Sequence, residues 1–219
     1  VIKHFFIFLF VVSLLLCSYA SDAQNFKAGI TGGFISSDVC YDDPIDHDND
    51  FHKAGYVFGG YVQRDVSENG ILQLEINLIQ KGTLQNPDST GFGYYRLLLN
   101  YVEVPVLYKY HLTFTSAKKP VSTFDIHAGA SIGWLYHSSL EGDVYSSSDM
   151  SFLNKTDVSL LIGVNYNFLE NFSFCVRYSN SIIPVFKSEA LPARYYLPPN
   201  SAFNSGNNMV FHFMLQYTI

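Results

Sequence analysis

At the far end of the chain, Met209, Phe211, Phe213, Leu215, Tyr217 and Ile219 occupy alternate positions, with His212, Gln216 and Thr218 between them. Side chains of a strand point to opposite faces in turn, so this period of two describes a strand with one continuous apolar side. The same rhythm occurs upstream in Phe26–Ser36, Ala54–Asp65, Ile71–Gly82, Leu98–Leu112, Thr123–Tyr136, Thr156–Phe168 and Phe172–Ser181. Clusters of Gly, Asn, Asp, Ser and Pro separate these segments, which are the residues that end strands and make turns. The chain therefore reads as all-β, with eight antiparallel strands.

Periodicity does not say which face points inward. In the third segment Leu72, Leu74, Ile76 and Leu78 oppose Gln73, Glu75, Asn77 and Lys81, and in the fifth Ile126, Ile132 and Trp134 oppose Asp125, His127 and Ser131. In the second segment the outward face is ambiguous. A soluble lipocalin-like barrel, apolar inside, is one solution, and a membrane barrel, apolar outside, is the other. Three features favour the membrane. The polar faces are rich in Gly, Ser and Asn, which suit a cramped lumen. Aromatic residues gather at strand ends, as in Tyr108/Tyr110, Trp134/Tyr136 and Tyr166/Phe168, where interfacial girdles form. The strands also reach the ~9–11 residues a tilted span requires.

Connections are long after the first, third, fifth and seventh segments and short after the others, down to Leu169-Glu170-Asn171. Long outer loops alternating with short periplasmic turns make this an eight-stranded antiparallel up-and-down transmembrane β-barrel with both termini in the periplasm. Its last strand pairs with Phe26–Ser36, and Phe213, Tyr217 and Ile219 form the closing face, a handle for the barrel-assembly machinery. Pro105 lacks an N–H in a strand without a free edge, so a bulge or local break is expected there.

Lys3 and His4 precede an apolar run, Phe5–Leu16, and Ser18-Tyr19-Ala20 or Ser21-Asp22-Ala23 offers a cleavage pattern. Residues 1–23 read as a signal peptide and 24–219 as the barrel domain. Leu16 before Cys17 argues against lipoprotein processing, and Cys40 and Cys175 fall at different depths, so no disulfide is expected. A net charge of −6 without a Lys/Arg cluster excludes nucleic acid as a partner.

The segment Leu99-Asn100-Tyr101-Val102-Glu103-Val104-Pro105-Val106-Leu107-Tyr108-Lys109-Tyr110, following Gln80-Lys81-Gly82, resembles the PorT-like outer-membrane β-barrel family of Bacteroidota. The resemblance implies an eight-stranded outer-membrane barrel, with some members linked to type IX secretion, and it supplies no catalytic residues.

The polar faces bring Lys27, Lys81, Lys109 and Arg177 together with Glu75, Glu103, Asp125 and Asp157. The expected arrangement is a luminal ion-pair plug, with Arg177 as the hub between Glu75 and Glu103, because its planar fork can hold two carboxylates. Asp46, Asp48 and Asp50 mimic the opening of a calcium loop, but Phe51 and Val57 stand where its Gly and closing Glu belong. They remain weak metal candidates. His137, Ser139 and Glu141, where the fifth strand emerges, are weak candidates for a lipid-modifying enzyme.

The favoured reading is a non-enzymatic envelope component without cofactors. Its partners are outer-membrane lipids, the assembly machinery and a protein at the loops or turns. A lipid-modifying enzyme and a periplasmic lipocalin-like binder are the alternatives.

Overall fold

The computed structural model describes residues 26–41, 53–85, 94–116, 119–142, 152–186 and 206–219. Its strands in chain order are β1 (Phe26–Tyr41), β2 (Lys53–Asp65), β3 (Gly70–Gln85), β4 (Tyr95–Ser116), β5 (Lys119–Gly142), β6 (Thr156–Asn167), β7 (Phe172–Ser181) and β8 (Gly206–Thr218). Each pairs antiparallel with its sequence neighbours, and β1 pairs with β8 to close the barrel. At this seam Phe34 lies opposite Phe213 and Ile30 opposite Tyr217, and the Ile219 amide donates to the Ala28 carbonyl at 2.7 Å. Closure satisfies every strand edge, as a hydrocarbon environment demands. The seam is tight: a Cβ added at Gly33 would strike the Phe213 carbonyl and the Met214 backbone.

The alternation resolves with the apolar side out. Phe34 is 75 % exposed and Trp134 59 %, whereas Gln73, Glu75, Lys81 and Arg177 are buried. This is the inverse of a soluble lipocalin-like barrel, which the structure excludes, and it is the sidedness of an outer-membrane-type barrel. On β2, Tyr56, Phe58 and Val62 face out while Val57 and Tyr61 face in. That strand was ambiguous because both of its faces mix glycine with aromatic residues.

At the short-turn end, Phe124, Tyr166, Phe168, Phe172 and Tyr217 form a continuous run of rings, with successive centroids 5.0, 6.3, 6.2 and 4.8 Å apart. At the other end Tyr178 and Phe211 lie 5.0 Å apart, and Trp134 and Tyr136 are exposed. These belts match the amphipathic headgroup zones.

Strand extent differs from the sequence reading, and Pro105 shows the local break that was one of the two outcomes expected there. Several strands run past their alternating segments, because backbone pairing does not require an apolar face: Thr83 pairs with Leu97, and Ser116 with Lys119. The connection after β4 is therefore residues 117–118 alone. At Pro105 there is a break and no bulge. The β5 ladder continues through Pro105↔Ser131, while the β3 ladder skips from Leu74↔Val106 to Asn77↔Glu103 without losing register. The missing N–H thus falls on the β3 side. A register shift occurs instead between Asn100 and Tyr101, where β5 carries Tyr136 as an extra residue.

Candidate functional site

The lumen has two tiers. The polar one is organised by two separate hubs. Arg177, on β7, reaches across to Glu75 on β3 and donates from Nη1 to Oε2 at 2.9 Å and from Nη2 to Oε1 at 2.7 Å. Gln73 and Asn77 donate to the same carboxylate at 2.6 and 2.8 Å, and Arg177 Nε donates to His127 Nε2 at 3.2 Å. In the second hub, Lys81 Nζ lies 2.8 Å from Glu103 and 3.0 Å from Asp157. Asp157 also accepts from Ser159 at 3.1 Å, Ser181 at 2.6 Å and Asn208 at 3.1 Å.

Arg177 therefore holds one of the two carboxylates assigned to it. Both Nη atoms are spent on Glu75 and Nε on His127, while Glu103 is held by Lys81. Nearer the short turns, Lys109 donates to Gln216 at 3.3 Å, and Asp125 pairs with His111 at 2.5 Å and accepts from Asn167 at 3.0 Å. Lys27, placed among the lumen charges by alternation, sits at the exposed rim 3.3 Å from Asp65.

Toward the long connections the lumen is mainly apolar, with Ser37 and Lys53 buried at its edge and donating to the Gly82 and Gln80 carbonyls. Ile35, Val57, Ile79, Leu97, Leu99 and Leu135 point inward, and Phe152, Leu153, Val185 and Phe186 pack with them. Leu153 and Phe186 form an isolated bridge, and the Phe152 and Phe186 rings stack 6.1 Å apart. The Asn154 amide donates to the Val185 carbonyl at 2.8 Å, and the Val185 amide to the Gly206 carbonyl at 2.6 Å. The segments 152–154 and 184–186 thus make a lid inside the mouth. The sequence reading missed this tier. Its signal was broken alternation, as in Leu78-Ile79 and Leu97-Leu98-Leu99.

The residues that carried the family resemblance divide between the two faces: Val102, Val106, Tyr108 and Tyr110 look outward, and the positions alternating with them belong to this interior. Leu99, Tyr101, Glu103, Pro105, Leu107 and Lys109 are the lumen-facing positions of β4, and all are buried. Lys81, from the Gln-Lys-Gly triplet, is the partner of Glu103, so the two halves of the pattern interlock. Gly82 has φ 132°, and a Cβ there would strike the Leu97 carbonyl, so only glycine fits where β3 passes β4.

A polar lumen, an apolar outer wall and a closed eight-strand order coincide here with a sequence match over residues 22–187 to the family described as outer membrane protein beta-barrel domain. The chain belongs to that family. Among solved structures, this outer membrane beta-barrel is similar to Ail, the attachment invasion locus protein of Yersinia pestis, at 13 % identity and TM-score 0.48, covering 89 % of this chain and 99 % of that one. It is also similar to Neisserial surface protein A, at 10 % identity and TM-score 0.42, covering 89 % and 97 %. The N-terminal β-barrel domain of Pseudomonas aeruginosa OprF gives 10 % and 0.38, covering 88 % and 97 %. No curated protein matches the sequence.

In this outer membrane beta-barrel, His137, Ser139 and Glu141 are alternate residues of β5, and no hydrogen bond joins them. Alternate residues of one strand stand about 6.6 Å apart, well beyond the ~3 Å at which a base activates a nucleophile. Glu141 instead lies 4.0 Å from Arg96. Asp46, Asp48 and Asp50 lie outside the described residues. Among the described residues, no group of three or more His, Cys, Asp or Glu side chains is placed to hold a metal ion. Cys175 is a free thiol buried in the lumen.

Proposed function

We propose that this barrel is a non-enzymatic, non-conducting component of the outer envelope, with periplasmic termini and long connections that engage a protein partner. The observation that carries the reading is the filled bore. Two ion-pair hubs span it, and an apolar tier with its own lid lies above them. An eight-stranded barrel has room for its own side chains and little more, so a plug this complete opposes flow. Membership of the PorT-like group, and with it an association with secretion, is the finer reading. Its support is the interlock of Lys81 with the β4 pattern. The signal peptide over residues 1–23 and recognition of the Phe213/Tyr217/Ile219 strand by the assembly machinery belong to the same proposal.

The test has two arms. Purified protein in planar bilayers is expected to give no conductance above background, and steady channels would refute the plugged lumen. A pull-down from native envelopes is expected to recover a stoichiometric protein. Altered lipid A on overexpression, without such a partner, would favour an enzyme.

A further inference from the structure

The outer wall of β1–β3 at the short-turn end carries a groove of about 530 Å³, lined by Phe26, Val62, Gln63, Arg64, Asp65, Val66, Leu72 and Leu74. That volume falls within the ~300–1,000 Å³ of small-molecule sites. Register explains the hollow. Phe26, Arg64 and Leu72 form one row, Ala28, Val62 and Leu74 the next, and Ile30, Gly60 and Ile76 the third, so the small Ala28 and Gly60 lie beside the groove's lining residues. We propose that this groove binds one glycerophospholipid, with its phosphodiester on the Arg64 guanidinium and an acyl chain along Val62 and Leu74. The inference rests on the outer-membrane reading and adds a defined lipid site to it.

Three observations converge. First, the guanidinium is held 5.4 Å over the Phe26 ring, and among the described residues no carboxylate lies within 4.0 Å of it. The adjacent Asp65 is turned to Lys27 at 3.3 Å. Arg64 is thus a cation whose charge no carboxylate of the described residues neutralises at contact distance, which leaves it available to an anion from outside the chain. Second, the aromatic belt of this end is interrupted here: between Phe26 and Tyr108, the row is filled by Arg64 and Leu72. Aromatic belts lie at headgroup depth, so Arg64 stands where phosphates are. Third, apart from Gln63 and Asp65 at its rim, the rest of the groove is apolar and continuous with the bilayer-facing wall. A planar fork that pairs with phosphate oxygens, set at the foot of an apolar trough, complements an amphiphile in both parts.

The experiment is native mass spectrometry of the refolded barrel with dioleoylphosphatidylglycerol, dioleoylglycerol or inorganic phosphate. Wild-type protein is expected to retain a single phosphatidylglycerol, dioleoylglycerol poorly, and inorganic phosphate not at all. Arg64→Gln is expected to lower retention at least about tenfold, the loss that one charge-assisted hydrogen bond implies. Arg64→Lys should lie between, and Val62→Trp should abolish retention by filling the trough. Undiminished retention in Arg64→Gln, equal retention of dioleoylglycerol, capture of inorganic phosphate alone, or a second copy of the chain over the groove would each overturn the proposal. Heat-modifiable migration of every variant is read alongside. Its loss in wild type would sink the outer-membrane reading itself, whereas lost lipid selectivity in a folded barrel sinks only this inference.

Discussion

Removing Arg177 and removing Glu75 should not cost the same, although the two residues form one ion pair. Arg177→Met leaves the Glu75 carboxylate buried, but Gln73 and Asn77 still donate to it at 2.6 and 2.8 Å. Glu75→Leu strands a guanidinium whose remaining partner is His127 at 3.2 Å, and it also deprives both amides of their acceptor. Breaking a buried pair from one side costs about 3–5 kcal/mol, which sets the scale for Arg177→Met. Each unsatisfied buried donor adds roughly 1–3 kcal/mol, so Glu75→Leu should exceed it by at least that much.

The double variant Arg177→Met/Glu75→Leu removes both charges in favour of apolar groups and should be less destabilised than Glu75→Leu alone. Urea unfolding in lipid vesicles measures all three, because Trp134 is the chain's one tryptophan and lies exposed on the outer wall, where fluorescence reports loss of lipid contact. Equal costs for the single changes, or a double variant equal to their sum, would refute the pairing described here.

Lys81→Met should destabilise the barrel by about 3–5 kcal/mol, since it leaves Glu103 and Asp157 facing each other without a cation. Lys27→Met, which loses only a half-exposed rim pair, should cost less than about 1 kcal/mol in the same titration. Gly33→Val should prevent closure of the β1–β8 seam and abolish heat-modifiable migration, while Gly32→Val, whose Cβ meets the Phe58 ring and the Val57 carbonyl at ordinary contact distances, should retain it. Serine at both Phe152 and Phe186 should loosen the lid yet leave bilayer conductance at background, because the ion-pair hubs below remain.

The outer wall was legible in the sequence because bilayer contact imposes one requirement at every second residue. Leu72, Leu74, Ile76 and Leu78 satisfy it without interruption, and all four are exposed. The interior obeys a different rule. Which side chains meet across the bore depends on strand tilt and stagger, quantities that a period of two does not contain. Glu103 could therefore be placed in the lumen from its alternation, but its pairing with Lys81 in place of Arg177 could not. The apolar tier was hidden for a related reason. Ile79 is an apolar residue on an otherwise polar face, Leu97 lies in a run of three leucines without alternation, and Phe152 and Phe186 come from segments without alternation. The lipid groove was also silent, because β2 hides its outward face among glycines and only register brings Ala28 beside Val62 and Leu74.

β3 takes part in both polar hubs, through Glu75 to β7 and through Lys81 to β6. Mechanically, these are struts thrown across the diameter of a tube. A hollow cylinder squeezed by the lateral pressure of a bilayer flattens into an oval, and internal braces resist that deformation. The braced wall carries the outer groove on its far side, so Leu72 and Leu74 are presented to lipid by a strand pinned from within. The charges in the bore thus act at a distance, as the stiffness of a surface they never touch.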